Sequence, residues 1–328
     1  MKYIEFLNTT IKDLVLTKDK IVLFGQNIAA GSCISGLTKG LQVKTGNLII
    51  NTPNCENTLC GVGFGSMMHG VSAVFFMKQL DFLLLGIDQL TNTYNIVRRK
   101  APKASFTIFP VVVDSGYEGP QASLNNLGDF CSIANIQGFS LTNQCDIREI
   151  LEKHLVTPGF RIIAASQRLF KTEIIPIQEM IYVNPERTVF QYTDGPAASI
   201  VCFNFSFPHG LELNKRLQDR GIRTSLFSVN TATPTAWERI VESAQQTRKL
   251  VLIDDSKSTN VPWQALLQDI FERVRLENKI IIRRDLSGYY PRPHADQLFI
   301  DYEAVINRLL TESCVPKEFF YNIDSGKR

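Results

Sequence analysis

Histidine is scarce in this sequence, with four residues in 328, and none has the spacing of a metal-ligand pair or of a Ser-His-Asp set. The sequence therefore predicts no metal ligands and no serine-hydrolase triad. Its seven cysteines form no Cys-x-x-Cys pair and no Cys/His cluster. Because their number is odd and most lie in apolar stretches, we expect reduced thiols and not disulfides or zinc ligands.

The sequence also lacks blocks of charge and long uninterrupted apolar runs. Lys and Arg number 35 and Asp and Glu 32, so binding to nucleic acid or to a membrane surface has no electrostatic support. The most apolar stretch covers residues 71–86. Lys78, Gln79 and Asp81 interrupt it, which is wrong for a membrane span and typical of a buried strand followed by a core helix. The N-terminus has no signal-peptide pattern, so we expect a cytoplasmic protein.

Strand-length apolar segments alternate with helix-length segments, which predicts an α/β protein with two doubly wound domains and mostly parallel sheets. In the first half we predict strands at 20–24, 48–51, 71–76 and 105–113, and helices at 3–15, 34–41, from Glu56 and at 82–97. A second alternation runs from Ala198 to residue 283. We place the first domain at 1–190, the second at 191–312 and a polar tail at 313–328, with extended linker chain over 178–192.

Two segments carry the functional signal. The first reads Thr-Pro-Asn-Cys-Glu-Asn over residues 52–57 and puts Glu56 at the start of an apolar helix. The second has Phe82 followed by Gly-Ile-Asp-Gln-Leu-Thr-Asn over residues 86–92. From the residues alone, Glu56 is explained by the helix dipole and Phe82 as one core phenylalanine among 21. Asp88 and Asn92 lie four apart on one helix face, where structural hydrogen bonds explain them.

Together the two segments resemble the beta subunits of thiamine-diphosphate-dependent 2-oxo acid dehydrogenases, in the transketolase superfamily, over residues 1–310. The resemblance implies a pyrimidine-binding-type domain followed by a transketolase C-terminal-type domain. It implies that Glu56 activates the cofactor through its pyrimidine ring, that Phe82 stacks on that ring, and that Asn57 and Leu59 lie beside them. Three glycines of the Glu56 helix, at 61, 63 and 65, fit tight helix–sheet packing within the subunit and close approach of another helix or a cofactor equally well.

Enzymes of this family hold the diphosphate and Mg²⁺ with a Gly-Asp-Gly…Asn-Asn pair, which this sequence lacks. The resemblance therefore implies an alpha-type partner chain that supplies that domain, an active site shared between the chains, pairing of the beta chains and an α2β2 assembly. The implied reaction is decarboxylation of a small-molecule 2-oxo acid followed by transfer of the acyl or aldehyde unit.

Three departures from the family pattern affect the predicted activity. Gln26 and Asn27 replace a Glu-Asp pair, and Ser-Val-Asn at residues 228–230 replaces Asp-Leu-Arg. In the loop expected to shape substrate access, with Gln121, Ala122 and Ser123, alanine at 122 replaces a histidine. This leaves open a split transketolase-like ketol transferase acting on sugars, or a non-catalytic paralogue.

The histidines have separate expectations. His69 ends the Glu56 helix, where it is suited to cap the last carbonyl groups. His154 lies in a charged helical stretch and is expected at the surface. His294 lies in a loop that the resemblance allows to approach a partner's active site.

Overall fold

The computed structural model of the protein describes residues 1–119, 122–177, 179–284 and 297–311. The first domain contains a six-stranded sheet. Its strands are β1 (Ile21–Gly25), β2 (Leu48–Asn51), β3 (Ser72–Met77), β4 (Ser105–Val112), β5 (Gln137–Ser140) and β6 (Gly159–Ser166). Their order is β2-β1-β3-β4-β6-β5, and every neighbouring pair is parallel. In the central register, Phe24 of β1 lies beside Phe75 of β3.

The first helix of this domain precedes β1, and the others lie between the strands in the chain. The helices are α1 (Tyr3–Leu16), α2 (Glu56–Met68), α3 (Tyr94–Val97), α4 (Leu127–Ile133) and α5 (Gln144–His154). Buried β-branched and aromatic side chains fill β3 and β4, and burial on both faces is expected where helices cover a parallel sheet.

The second domain has its own six-stranded sheet. Its strands are β7 (Tyr182–Val183), β8 (Val189–Pro196), β9 (Ser199–Phe203), β10 (Thr224–Val229), β11 (Lys249–Asp254) and β12 (Asn278–Arg283), in the order β12-β11-β9-β10-β8-β7. Four are parallel, whereas β8 and β7 run antiparallel to their neighbours. The helices are α6 (Phe207–Gln218), α7 (Glu238–Thr247), α8 (Trp263–Arg273) and α9 (Tyr302–Leu310). The predicted α/β fold, with two domains whose sheets are mostly parallel, is confirmed.

The structure differs from two predicted helices. Residues 34–41 form only a 3₁₀ turn at Ile34–Gly36, because Cys33, Ile34 and Ser35 all have left-handed backbone angles, with φ of 48–56°. The segment predicted as one helix at 82–97 is divided into a 3₁₀ segment at Leu80–Gly86, a π-helical turn at Gln89–Thr93 and α3. A Cβ at Gly86 would lie 2.7 Å from the Cys60 sulfur, so α2 packs closely at this break.

The region predicted as linker contributes strands to the second sheet. β7 and β8 both lie wholly or partly within residues 178–192, and the predicted boundary at residue 190 falls inside β8. The predicted tail at 313–328 and His294 lie outside the described residues. Within the described ranges, no helix is long and apolar enough to cross a membrane.

The carboxyl-terminal edges of the two sheets meet at the domain junction. Asn230, after β10, donates to the Ser140 carbonyl oxygen at the end of β5, over 2.7 Å. Arg168, after β6, contacts the Asp255 carboxylate after β11 at 2.6 Å, and the Ser140 hydroxyl donates to the Asn204 carbonyl oxygen at 2.8 Å. Loops that follow parallel strands therefore join the domains, in addition to an apolar cluster that contains residues of both.

Candidate active site

A small cleft opens at the carboxyl edge of the first sheet. The chain passes from β1 to β2 on one side and then crosses to β3 on the other, so the strand order reverses at β1. Such a switch point leaves a crevice where α/β proteins bind ligands. The residues around this cleft are Gln26, Pro53, Asn54, Glu56, Leu59, Phe75, Phe76, Met77, Lys78 and Phe82. Glu56, Leu59 and Phe82, predicted from distant parts of the sequence, thus line one cleft.

Close packing at the end of β1 forms the floor of the cleft. Gly25 has a φ of 151°, and a Cβ at this position would collide with the Phe76 carbonyl oxygen of β3. Only glycine therefore lets the two strand ends approach this closely before the chain turns at Gln26. The Thr52 amide donates to the Gly25 carbonyl oxygen at 3.1 Å, which places the turn before α2 above the same strand.

Glu56 is the first residue of α2, and its side chain is buried, with 6% of the residue exposed. Its carboxyl group accepts no hydrogen bond and forms no ion pair with any described residue, although it lines the cleft. Because neither carboxyl oxygen is among the fully enclosed unpaired atoms, the group reaches the open space of the cleft and is available to a bound ligand.

Leu59 and Phe82 give the cleft its apolar walls. Leu59 lies one turn after Glu56 on α2 and is 7% exposed. Phe82 belongs to the 3₁₀ segment Leu80–Gly86 and is half-buried, so part of its ring remains accessible. An acidic group between an aliphatic and an aromatic wall suits a flat heteroaromatic ring that has a hydrogen-bonding nitrogen.

Asn57 is not among the cleft residues. Its side chain is exposed, and its Oδ1 accepts a hydrogen bond from Gln89 Nε2 at 3.1 Å. The amide therefore ties α2 to the π-helical turn at Gln89–Thr93, and its predicted role in cofactor binding stays a prediction.

The glycines of α2 face different surroundings. A Cβ at Gly63 would collide with the Phe106 ring of β4, so this glycine serves tight helix–sheet packing within the subunit. Gly61 faces the Gln89 side chain, with 3.6 Å to the position of a Cβ. Gly65 is exposed, and a Cβ there would meet nothing within 4 Å. Only Gly65 is thus left without an explanation inside the subunit.

Two structural expectations for polar residues outside the cleft are confirmed. Asn92 Nδ2 donates to Asp88 Oδ1 at 2.7 Å, as expected for a pair on one helix face. The His69 Nδ1 atom lies 2.8 Å from the Gly65 carbonyl oxygen, which confirms the predicted cap at the end of α2.

His154 does not lie at the surface, as the sequence suggested, but is buried at the end of α5. Arg148, Glu152 and Lys153 are exposed on the outer face of α5, whereas His154 falls on the inner face. Its ring stacks on Phe139, with the ring centroids 4.2 Å apart.

The substrate-access prediction falls on a loop after β4. Ala122 and Ser123 are half-buried, and Gln121 lies outside the described residues. The Ala122 amide donates to the Gly119 carbonyl oxygen at 3.0 Å. Asp81 accepts hydrogen bonds from the next two amides, those of Ser123 and Leu124. The role of Ala122 and Ser123 toward substrate stays a prediction.

Three polar residues lie near the cleft, of which Gln26 was named only as a departure from the family pattern, and Lys78 and Asp81 were not predicted as site residues. Gln26 and Lys78 line it directly, and Asp81 lies next to Phe82 in the chain. Each follows a predicted strand within a few residues, which was the available signal, because polar side chains at the carboxyl ends of parallel strands gather at one edge. Asn230, a departure from the family pattern, contacts Asp146 at 2.9 Å and belongs to the domain junction.

Comparisons with known proteins fit this arrangement. No protein-family model matches the sequence. The 2-oxoisovalerate dehydrogenase subunit beta of Bacillus subtilis (strain 168) is 22% identical over 271 residues, which cover 80% of this chain and 81% of the relative. The pyruvate dehydrogenase E1 component subunit beta of Staphylococcus aureus is 19% identical over 310 residues, 92% of this chain and 94% of the relative.

A third relative acts on a different substrate, and a solved structure shares the fold. The acetoin:2,6-dichlorophenolindophenol oxidoreductase subunit beta of Cupriavidus necator is 22% identical over 258 residues, covering 74% of this chain and 76% of the relative. The solved structure is a split-gene transketolase in an inactive tetramer of beta chains, with a TM-score of 0.64 and 14% identity over 87% of this chain and 90% of that one. The resemblance carried by the two motifs is thereby confirmed: the chain is a homologue of the beta subunits of 2-oxo acid dehydrogenases, a thiamine-diphosphate-dependent family, and has a transketolase-like fold.

Proposed function

We propose that this chain is the beta-type subunit of a split thiamine-diphosphate-dependent enzyme that decarboxylates a 2-oxo acid and transfers the resulting acyl or aldehyde unit. The observation that carries the proposal is the unpartnered Glu56 carboxyl group, on a residue that is only 6% exposed, in a cleft that it shares with Phe82 and Leu59. This set of groups fits the pyrimidine half of the cofactor. When bound, thiamine diphosphate would supply the electron sink that decarboxylation requires.

The chain's own residues would bind and orient the cofactor ring. Glu56 would hold a proton between its carboxyl group and a ring nitrogen, which is the role of a positioned general acid–base group. Phe82 would stack on the ring, and Leu59 would exclude water from the carboxyl group. No other described residue bonds that carboxyl group, so it remains available to the ligand.

We assign the diphosphate and Mg²⁺ mainly to an alpha-type partner. The sequence lacks the paired motif that holds them, and no three His, Cys, Asp or Glu side chains cluster as metal ligands in the described part of the chain. Next to the cleft, Val62, Leu84 and Leu85 are 49%, 56% and 64% exposed, and Gly65 leaves open space on α2. Such an apolar surface is suited to subunit contact, in the α2β2 assembly that we propose.

Titration calorimetry tests the shared site. Thiamine diphosphate with Mg²⁺ is titrated into the beta chain alone and into its complex with an alpha-type chain that has the Gly-Asp-Gly…Asn-Asn motif. We expect binding only to the complex. Tight binding to the beta chain alone would contradict the division of the site, and no binding in either case would favour a non-catalytic paralogue.

Replacement of Glu56 tests the assigned chemistry. Glu56→Gln keeps the size of the side chain but removes its acidic proton, so turnover by the complex should fall by at least about 100-fold. Glu152→Gln, an exposed change on α5, is the matched control and should leave turnover unchanged. Near-normal turnover of Glu56→Gln would rule out the assigned role.

A ketol transferase acting on sugars is the second candidate, because the fold is similar to that of a split-gene transketolase and Ala122 replaces the family histidine. The complex should be assayed for release of carbon dioxide from a panel of 2-oxo acids and for two-carbon transfer from ketose phosphates. Transfer without release of carbon dioxide would favour the ketol transferase.

A further inference from the structure

The segment that follows the predicted substrate-access turn is held from two sides. Asp81 Oδ1 accepts hydrogen bonds from the amides of Ser123 and Leu124 at 2.9 and 3.1 Å. On the opposite side of the same peptide, Lys257 Nζ donates to the Ser123 carbonyl oxygen at 2.8 Å. We call residues 122–125 the strap. One anchor of the strap comes from the first domain and the other from the second.

The second-domain anchor continues along the strap. The Lys257 amide donates to the Asn125 carbonyl oxygen at 2.8 Å, and Asn125 Nδ2 donates to the Asp255 carbonyl oxygen at 2.8 Å. Both partners follow β11, at the edge where the two sheets meet. The strap is thus fixed to the domain junction, and at its other end the Ala122 amide and carbonyl oxygen bond to Gly119 and Glu118.

Asp81, the first-domain anchor of the strap, lies on a tightly packed segment. Asp81 lies between Leu80, which is fully buried, and Phe82, which lines the cleft. The same short 3₁₀ segment ends at Gly86, where α2 packs too closely for a larger residue. Because Asp81 and Phe82 are consecutive on a fixed element, a displacement of one would move the other.

Burial of the Asp81 carboxyl group costs free energy. The residue is 5% exposed, and its Oδ2 atom has no hydrogen-bond partner among the described residues. Desolvation raises the pKa of Asp81 above its ordinary value, while the two strap amides and the Lys257 charge oppose that rise. The strap amides and the ammonium group therefore compensate for a carboxyl group placed directly behind the cleft.

We propose that Asp81 is a positioning residue, which sets the placement of Ala122 and Ser123 relative to Phe82 and so couples the substrate-facing strap to the cofactor cleft. This inference rests on the proposed function in assigning substrate to the strap. The placement itself is a property of the beta chain, and it is testable without cofactor or partner.

Hydrogen exchange measures the placement directly. In the beta chain alone, Asp81→Ala should speed exchange of the Ser123 and Leu124 amides by at least about 10-fold, because both lose their acceptor. Asp81→Asn retains an acceptor oxygen and should stay within about 3-fold of wild type. The matched control, Asp88→Ala, removes an exposed carboxylate bonded to Asn92 and should leave both amides unchanged. Unchanged exchange in a folded Asp81→Ala chain would overturn the proposal.

Kinetics of the complex with the alpha-type chain test the consequence for substrate. Asp81→Ala should raise KM for the 2-oxo acid by about 10-fold or more while the affinity for thiamine diphosphate stays within about 3-fold, and Asp81→Asn should restore KM. An unchanged KM would overturn the coupling to substrate.

If wild type has no activity, the proposed function fails while the exchange result still decides the placement. If Asp81→Ala does not fold, Asp81→Ser, whose hydroxyl is too short to reach both amides, replaces it in both measurements.

Discussion

The His154 side chain illustrates how burial changes the chemistry of a single residue. The residue is 5% exposed, and its Nε2 atom lies 2.8 Å from the Glu186 carbonyl oxygen. A carbonyl oxygen only accepts, so Nε2 carries the hydrogen. Burial lowers the pKa of His154 to about 4 from an ordinary value of 6.5, and the nearby Arg161 and Lys153 charges add to that effect. The imidazole is therefore neutral at physiological pH.

This neutral histidine predicts a loss of stability in mild acid. Between pH 6.5 and about 4 the unfolded chain binds a proton at His154 that the folded chain does not, so the free energy of unfolding falls as pH falls through that window. His154→Gln keeps an N–H donor but cannot titrate. Its loss of stability between pH 7.5 and 5.0, measured by urea denaturation, should be smaller than that of wild type by on the order of 1 kcal/mol.

The control for this measurement is His69→Gln, because His69 is exposed at the end of α2 and also contacts a carbonyl oxygen. Only pH dependence that is lost in His154→Gln but kept in His69→Gln is assigned to His154. Parallel curves for His154→Gln and wild type would show that another group causes the acid sensitivity.

At the scale of elements, two glycines of α2 have different surroundings: Gly63 packs against the sheet, and Gly65 is exposed. A Cβ at Gly63 would collide with the Phe106 ring, which is fully buried and packs against Phe64 and Phe160. The ring therefore has no space into which to move. Gly65, two residues later, has open space around it.

The two glycines predict opposite effects of the same substitution. Gly63→Ala should lower the free energy of unfolding by about 1–3 kcal/mol, because overpacking outweighs the gain in helix propensity. Gly65→Ala should raise it by about 0.5–1 kcal/mol in the isolated beta chain. Urea denaturation of both variants measures the difference. Equal stabilisation by the two alanines would contradict the close contact between α2 and β4.

Sequence patterns predicted those elements whose signal is local. The strands β1, β2, β3 and β4 are compact apolar runs and were each predicted, and β9 to β12 lie within the second predicted alternation. The helix predicted at 34–41 was wrong, because the helix-like spacing of its apolar residues does not indicate three left-handed residues in succession. In the site, motifs predicted Glu56 and Phe82. The contact of Asp81 with Ser123 joins residues 42 apart, and no local pattern encodes such a pair.

At the scale of the whole molecule, a partly buried arginine links the two domains. Arg168 is 15% exposed at its side chain and lies 2.6 Å from Asp255 Oδ2 in the second domain and 3.5 Å from Asp114 Oδ2 in the first. Both carboxylates are almost fully buried. Burial raises the pKa of Asp114, and the Arg168 charge opposes that rise. One guanidinium group thus compensates for two acidic groups where the sheet edges meet.

Removal of this guanidinium should destabilise the molecule in a way that depends on pH. Arg168→Met leaves buried carboxylates without their cation and should lower the free energy of unfolding by about 3–5 kcal/mol near pH 8. Without the arginine the pKa of Asp114 rises further, so protonation at pH 5 should remove part of the penalty. The control, Arg273→Met, breaks an exposed pair with Glu238 and should leave the free energy of unfolding close to that of wild type at either pH. A cost for Arg168→Met as small as that of the control would mean that apolar packing alone holds the domains together.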